Sequence, residues 1–91
     1  MKLSIHIIVK GKVQGVLYRA TACEVAEKFG VTGFVRNLED GSVEVFAEGN
    51  KEKLLEFRDW CSKGSKGARV DDMQFEWLDF AGTFKTFIIR H

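Results

Sequence analysis

No run of apolar residues in this 91-residue chain approaches the roughly 18 needed for a membrane-spanning helix. Charge of one sign is also missing: 14 Lys and Arg face 13 Asp and Glu, interspersed, for a formal net charge of +1. A field so balanced favours neither a nucleic acid nor a membrane surface as partner. Only two cysteines occur, Cys23 and Cys61, too few and too far apart for a zinc site. Linkers, internal repeats and low-complexity stretches are absent as well, so the length accommodates one core, with no room for a second. The start, Met1-Lys2-Leu3-Ser4-Ile5-His6, alternates apolar and polar residues and has no apolar stretch of the signal-peptide kind, from which a cytoplasmic location is expected.

What is present reads as a small globular domain, with 45% hydrophobic and 30% charged residues. At this size burial is barely sufficient, so nearly every apolar position must be used. Leu3, Ile5, Ile7 and Val9 alternate with Ser4, His6, Ile8 and Lys10, predicting a strand with one buried face. Gly11 to Gly15 breaks that pattern. From Arg19 to Phe29, Ala22, Cys23, Ala26 and Phe29 form a helical stripe closed by Gly30. Val31 to Asn37 predicts a second strand. A Glu39-Asp40-Gly41 turn follows, and then a third strand through Val43, Val45 and Ala47. Asn50 is placed to cap a second helix carrying Leu54, Phe57 and Cys61, which Lys63 and Gly64 end. Met73 to Leu78 and Thr83 to Arg90 read as strands. The order βαββαβ, with a last piece able to form a strand of its own, predicts an α+β ferredoxin-like split β-α-β sandwich: two helices on one face of an antiparallel sheet.

That topology has a chemical consequence. The crossover makes the first two strands parallel with the third between them, so the loop after strand one and the end of strand two emerge at one sheet edge. Two interstrand spacings, about 10 Å, separate them, leaving room for a phosphate and a water. The loop in question is Gly11-Lys12-Val13-Gln14-Gly15-Val16-Leu17, followed by Tyr18 and Arg19. Glycines let successive N–H groups turn into one concavity, and a helix start adds unsatisfied donors and partial positive charge. Arg19 would add a full charge and a planar fork. By itself the segment reads as a turn followed by a solvated arginine. It also lacks the Gly-Lys-Ser/Thr ending of a nucleotide-binding loop and the third glycine of a dinucleotide fingerprint.

Two stretches resemble the signatures of the acylphosphatase family. The first is Gly11-Lys12-Val13-Gln14-Gly15-Val16-Leu17-Tyr18-Arg19. The second is Gly33-Phe34-Val35-Arg36-Asn37-Leu38-Glu39-Asp40-Gly41-Ser42-Val43, closing at Gly49. Trp60-Cys61, Gly64 and Ala68-Arg69-Val70 are similar to the family too, so the resemblance covers essentially the whole chain. It implies a metal-independent acylphosphatase without a cofactor, hydrolysing small acyl phosphates. Arg19 and the backbone amides of Gly11 to Leu17 would bind the phosphate, and Asn37 would hold the attacking water. One departure stands out: such chains often have Gly-Pro after the second helix, whereas this one has Gly64-Ser65 and no proline at all. That loop is expected to lie away from the site.

Other residues are given plainer roles. His6 is expected to be a partly exposed sheet-face histidine and His91 a solvated terminus. Glu39 and Asp40 read as turn chemistry, and Lys12 and Arg36 as solvated charge. Tyr18 should anchor the helix start in the core with its hydroxyl reaching solvent. Cys23 and Cys61, which antiparallel helices could bring together, should be free, mostly buried thiols. An RNA-binding ferredoxin-like module would need stacking aromatics amid basic residues on the open sheet face. There the central strands offer His6, Ile8, Glu44 and Phe46, of which only Phe46 fits. A catalytically idle relative that binds anions is the other alternative. A monomer is expected, since no apolar stripe is left unassigned.

Overall fold

A computed structural model describes all 91 residues. Strand β1 (Lys2–Lys12) leads through a short loop to helix α1 (Tyr18–Phe29), then β2 (Thr32–Asn37) and β3 (Val43–Asn50). Helix α2 (Lys51–Lys63), β4 (Arg69–Asp79) and β5 (Phe87–Arg90) complete the chain. The sheet order is β4-β1-β3-β2-β5. The first four strands pair antiparallel, and β5 joins parallel to β2 at the edge. The expected split β-α-β sandwich is present, as a five-stranded mixed sheet with both helices on one face.

The alternation in β1 works as the pleat requires: Ile5, Ile7 and Val9 are fully buried beneath the helices. Val43, Val45 and Ala47 do the same from β3, and Val35 from β2. Helix α1 contributes the small residues Ala22 and Ala26, which let its backbone lie close to the sheet. Helix α2 contributes Leu54, Phe57 and Cys61 at helical spacing. Gly30 ends α1 in the left-handed region, its N–H reaching the carbonyls of Ala26 and Glu27.

Two strand expectations need correction. β1 does not stop before Gly11 but runs on to Lys12, because β4 is long enough to pair with it there through a bulge between Lys10 and Gly11. A Cβ at Gly11 would stand 2.1 Å from the Arg69 carbonyl oxygen, so this close approach demands glycine. At the other end, β5 begins only at Phe87. Residues 80–86 instead cross the open sheet face from the β4 edge to the β5 edge. Phe84 packs on Phe34 and Phe46 with ring centroids 5.7 Å from each, and Thr83 donates a hydrogen bond to Glu48. The aromatic that an RNA module would use for stacking, Phe46, is therefore covered in part by the chain itself.

Candidate active site

The register places the ends of β1 and β2 as the topology requires. Val43 of β3 lies between Val9 of β1 and Asn37 of β2. Asn37 is thus two interstrand spacings from β1, about 10 Å. It follows core residue Val35 by two positions, so its side chain faces the helix side of the sheet, where α1 begins. Its neighbour Arg36 points to the opposite face and pairs with Glu44.

Between β1 and α1, Val13 is buried and anchors the loop, and Gly15 takes φ +74°. Leu17 also adopts a left-handed conformation, φ 62°, although it carries a side chain that is 76% exposed. A residue with a Cβ pays roughly 1–2 kcal/mol for this, so the surroundings must hold it. Leu17 occupies the N-cap position of α1 without providing a side-chain cap, and no acidic residue lies in the first turn. The N–H groups of that turn have no intrahelical acceptor, and nothing anionic on the helix competes for them.

A cleft of about 260 Å³ opens here, lined by Val13, Gly15 and Leu17 of the loop, Tyr18, Arg19 and Ala20 of α1, Asn37 of β2, and Ile89 and His91. That is below the roughly 300–1,000 Å³ of pockets for drug-sized ligands, and suits a phosphoryl group with a small substituent. Arg19 is half-buried and takes part in none of the ion pairs of the structure. The Asn37 Oδ1 is buried and finds no hydrogen-bond partner in the chain. A buried acceptor without a partner is uncommon and calls for an explanation. A guanidinium with no carboxylate and the carboxamide of Asn37 border one hollow.

Of the loop residues singled out from sequence, Val13, Gly15 and Leu17 line the cleft, while Gly11 and Lys12 belong to the paired end of β1. Gln14 turns away. Its amide nitrogen donates to the carbonyls of Leu38 and Ser42 at 2.8 and 2.9 Å, tying the loop to the turn that follows Asn37. Val16 is half-buried, and its carbonyl accepts a hydrogen bond from Ser65 Oγ at 2.8 Å. The loop containing Gly64-Ser65 is therefore in contact with the site's own loop, contrary to the expectation that it lies apart. Antiparallel helices bring the end of α2 back beside the start of α1, and the turn after α2 inherits that position.

Tyr18 also departs from expectation. Its hydroxyl does not reach solvent but donates to the Cys61 carbonyl oxygen at 2.8 Å, with the ring 5.0 Å from that of Trp60. Burial, with the nearby Cys61, pushes its ionisation well above the ordinary tyrosine range. This contact locks the first turn of α1, and so Arg19, against the last turn of α2. Ile89 and His91 were not anticipated at the cleft. They arrive because β5 pairs parallel with β2, Arg36 opposite Arg90, a pairing with no local sequence signal.

The remaining polar groups behave as structural ones. His6 Nε2 lies 2.8 Å from Glu44 Oε2 on the open face. Burial pushes the Glu44 carboxyl up, but hydrogen bonds from His6 and Arg36 outweigh it and leave its pKa lowered. A hollow of about 290 Å³ beside His6 is lined by Ile8, Gln74, Phe75 and Glu76. With no lysine or arginine and an acidic residue in its wall, it is ill suited to an anion. Asp40 accepts from the Ser42 N–H at 2.9 Å, and Ser42 lowers its pKa, which is turn chemistry as expected. The cysteines are unbonded: Cys61 is buried, its pKa pushed up to about 12 by burial, and Cys23 is half-buried with its pKa raised by burial and by Glu27 and Glu24. No helix is long and apolar enough to cross a membrane.

Comparison with known proteins gives the family of this fold. The acylphosphatase family model matches residues 5–89. The chain belongs to the acylphosphatase family. An acylphosphatase of Anaeromyxobacter sp. (strain Fw109-5) is 45% identical over 86 residues, covering 94% of this chain and 92% of the relative. One from Pyrobaculum calidifontis is 46% identical over 85 residues, covering 92% and 77%. The crystal structure of acylphosphatase from Bacillus subtilis superimposes with a TM-score of 0.94 at 34% identity, covering 98% of this chain and 99% of that one. The two stretches that resemble the family's signatures supply the cleft-lining residues Val13, Gly15, Leu17, Tyr18, Arg19 and Asn37.

Proposed function

We propose that this chain is a metal-independent acylphosphatase that hydrolyses small acyl phosphates to a carboxylate and inorganic phosphate. The observation that carries the reading is the convergence of an unpaired Arg19 and the Asn37 carboxamide on one cleft beside an uncapped helix start. Arg19 and the backbone amides of the Gly11 to Leu17 segment hold the phosphoryl oxygens and match their charge. The Asn37 carboxamide hydrogen-bonds the attacking water and so places it for in-line displacement. The P–O bond to the acyl oxygen breaks, and the electron pair leaves on a carboxylate whose conjugate acid has a pKa of about 4. So good a leaving group needs no general acid, and positioning with electrostatic stabilisation suffices. The proton released by the water passes to the phosphate product.

In this reading the chain acts as a single domain and a monomer, in the cytoplasm, with no cofactor and no nucleic-acid or membrane partner. The balanced charge of the sequence and the small cleft support a small-molecule substrate. The test is hydrolysis of benzoyl phosphate with and without a chelator. Turnover indifferent to the chelator and competitively inhibited by inorganic phosphate is expected. An inert protein would sink the assignment, and chelator-sensitive turnover would sink the metal-free mechanism.

A further inference from the structure

The turn between α2 and β4 delivers one side chain to the loop of the site. Ser65 is 8% exposed, and its Oγ donates to the Val16 carbonyl oxygen at 2.8 Å across 49 positions of sequence. Its own placement is well determined. The Gly64 N–H donates to the Trp60 carbonyl at 2.7 Å, and the Ala68 N–H donates to the Ser65 carbonyl at 3.0 Å. Gly64 sits so close to the Tyr18 ring that an added Cβ would stand 3.1 Å from Cε2.

The peptide unit joining Val16 to Leu17 is planar and trans, so its C=O and N–H point in opposite directions. A hydrogen bond holding the Val16 carbonyl toward Ser65 turns the Leu17 N–H the other way, and Leu17 lines the cleft. Leu17 is also the one non-glycine residue with positive φ, and its exposed side chain supplies no packing to keep it there. The backbone is held instead on both sides, by Ser65 on the Val16 carbonyl and by the Thr21 N–H on the Leu17 carbonyl at 3.0 Å. We propose that Ser65 is a positioning residue, whose hydroxyl fixes the Val16–Leu17 peptide so that the Leu17 N–H is presented to a bound phosphoryl group. This rests on the reading of the cleft as a phosphoryl site.

The test combines inorganic phosphate binding with steady-state kinetics. In the ¹⁵N-labelled wild-type protein the Leu17 amide resonance should move on titration with phosphate. Ser65→Ala should weaken phosphate binding about fivefold and raise KM for benzoyl phosphate by the same factor, the worth of one hydrogen bond, with kcat nearly unchanged. Ser65→Thr, which keeps the hydroxyl, should restore both. An unresponsive Leu17 amide in the wild type overturns the proposal even if Ser65→Ala fails to fold. So does a folded Ser65→Ala with wild-type phosphate affinity, whatever its melting temperature. Wild-type turnover with an indifferent Ser65→Ala removes only the positioning role, whereas a wild type that neither turns over nor binds phosphate removes the function and this role together.

Discussion

The two halves of the fold repeat the same β-to-α step and use it in opposite ways. Neither helix start has a side-chain cap: Asn50, expected to cap α2, stands at its N-cap without making that hydrogen bond. Between β1 and α1 the chain inserts residues 13–17, and α1, from Tyr18, has no acid in its first turn. Between β3 and α2 there is no insertion. The Lys51 N–H donates to the Met1 carbonyl at 2.9 Å, and Glu52 lies in the first turn. Both helix starts carry the same partial positive charge. At α2 the Met1 carbonyl and Glu52 oppose it within the chain, and at α1 it is left open toward a cleft that also holds Arg19 and Asn37. The helix terminus is thus a common resource, and what makes a site is the refusal to satisfy it.

The comparison can be broken most severely at the open end. Arg19→Ala should lower kcat/KM for benzoyl phosphate by about 10³-fold, and Asn37→Ala should lower kcat by about 10²-fold with KM little changed. Circular dichroism should show both variants folded. If Asn37→Ala kept full kcat, the water-holding role would be wrong with the family membership untouched. A milder change makes α1 resemble α2: Ala20→Glu puts a carboxylate in the first turn at the cleft wall. Repulsion of the phosphoryl group should raise KM about tenfold. The same charge at a helix N-terminus should raise stability by about 0.5 kcal/mol, so activity and thermal melting should move in opposite directions. A variant that lost both would show that the open terminus contributes nothing specific. The smallest effect belongs at the closed end. Glu52→Gln should cost about 0.5 kcal/mol in urea unfolding and leave kcat and KM as they are.

Much of this was legible in the residues. The period-two alternation of β1 and β3 and the helical stripes of α1 and α2 report burial directly, because each element must present one apolar face to a single core. Asn37 and Arg19 were legible through the two signature stretches. The bulge at Gly11 was less so, because a glycine that begins a loop and a glycine pressed against a neighbouring strand look alike until β4 is in place. Tyr18, Ser65, Ile89 and His91 were misplaced or missed for one reason: their partners, Cys61, Val16 and β2, lie between 43 and 54 positions away in sequence.

What the sequence by itself determined is the set of elements, their buried faces and the chemical groups available at one sheet edge. These follow from side-chain polarity and local backbone preference, which each residue carries wherever it stands. Tertiary structure alone decided which of those groups remain unpaired. Whether Arg19 meets a carboxylate, Asn37 a donor, or the Val16 carbonyl a hydroxyl depends on helix and strand packing across the whole chain, and no local pattern encodes a missing partner.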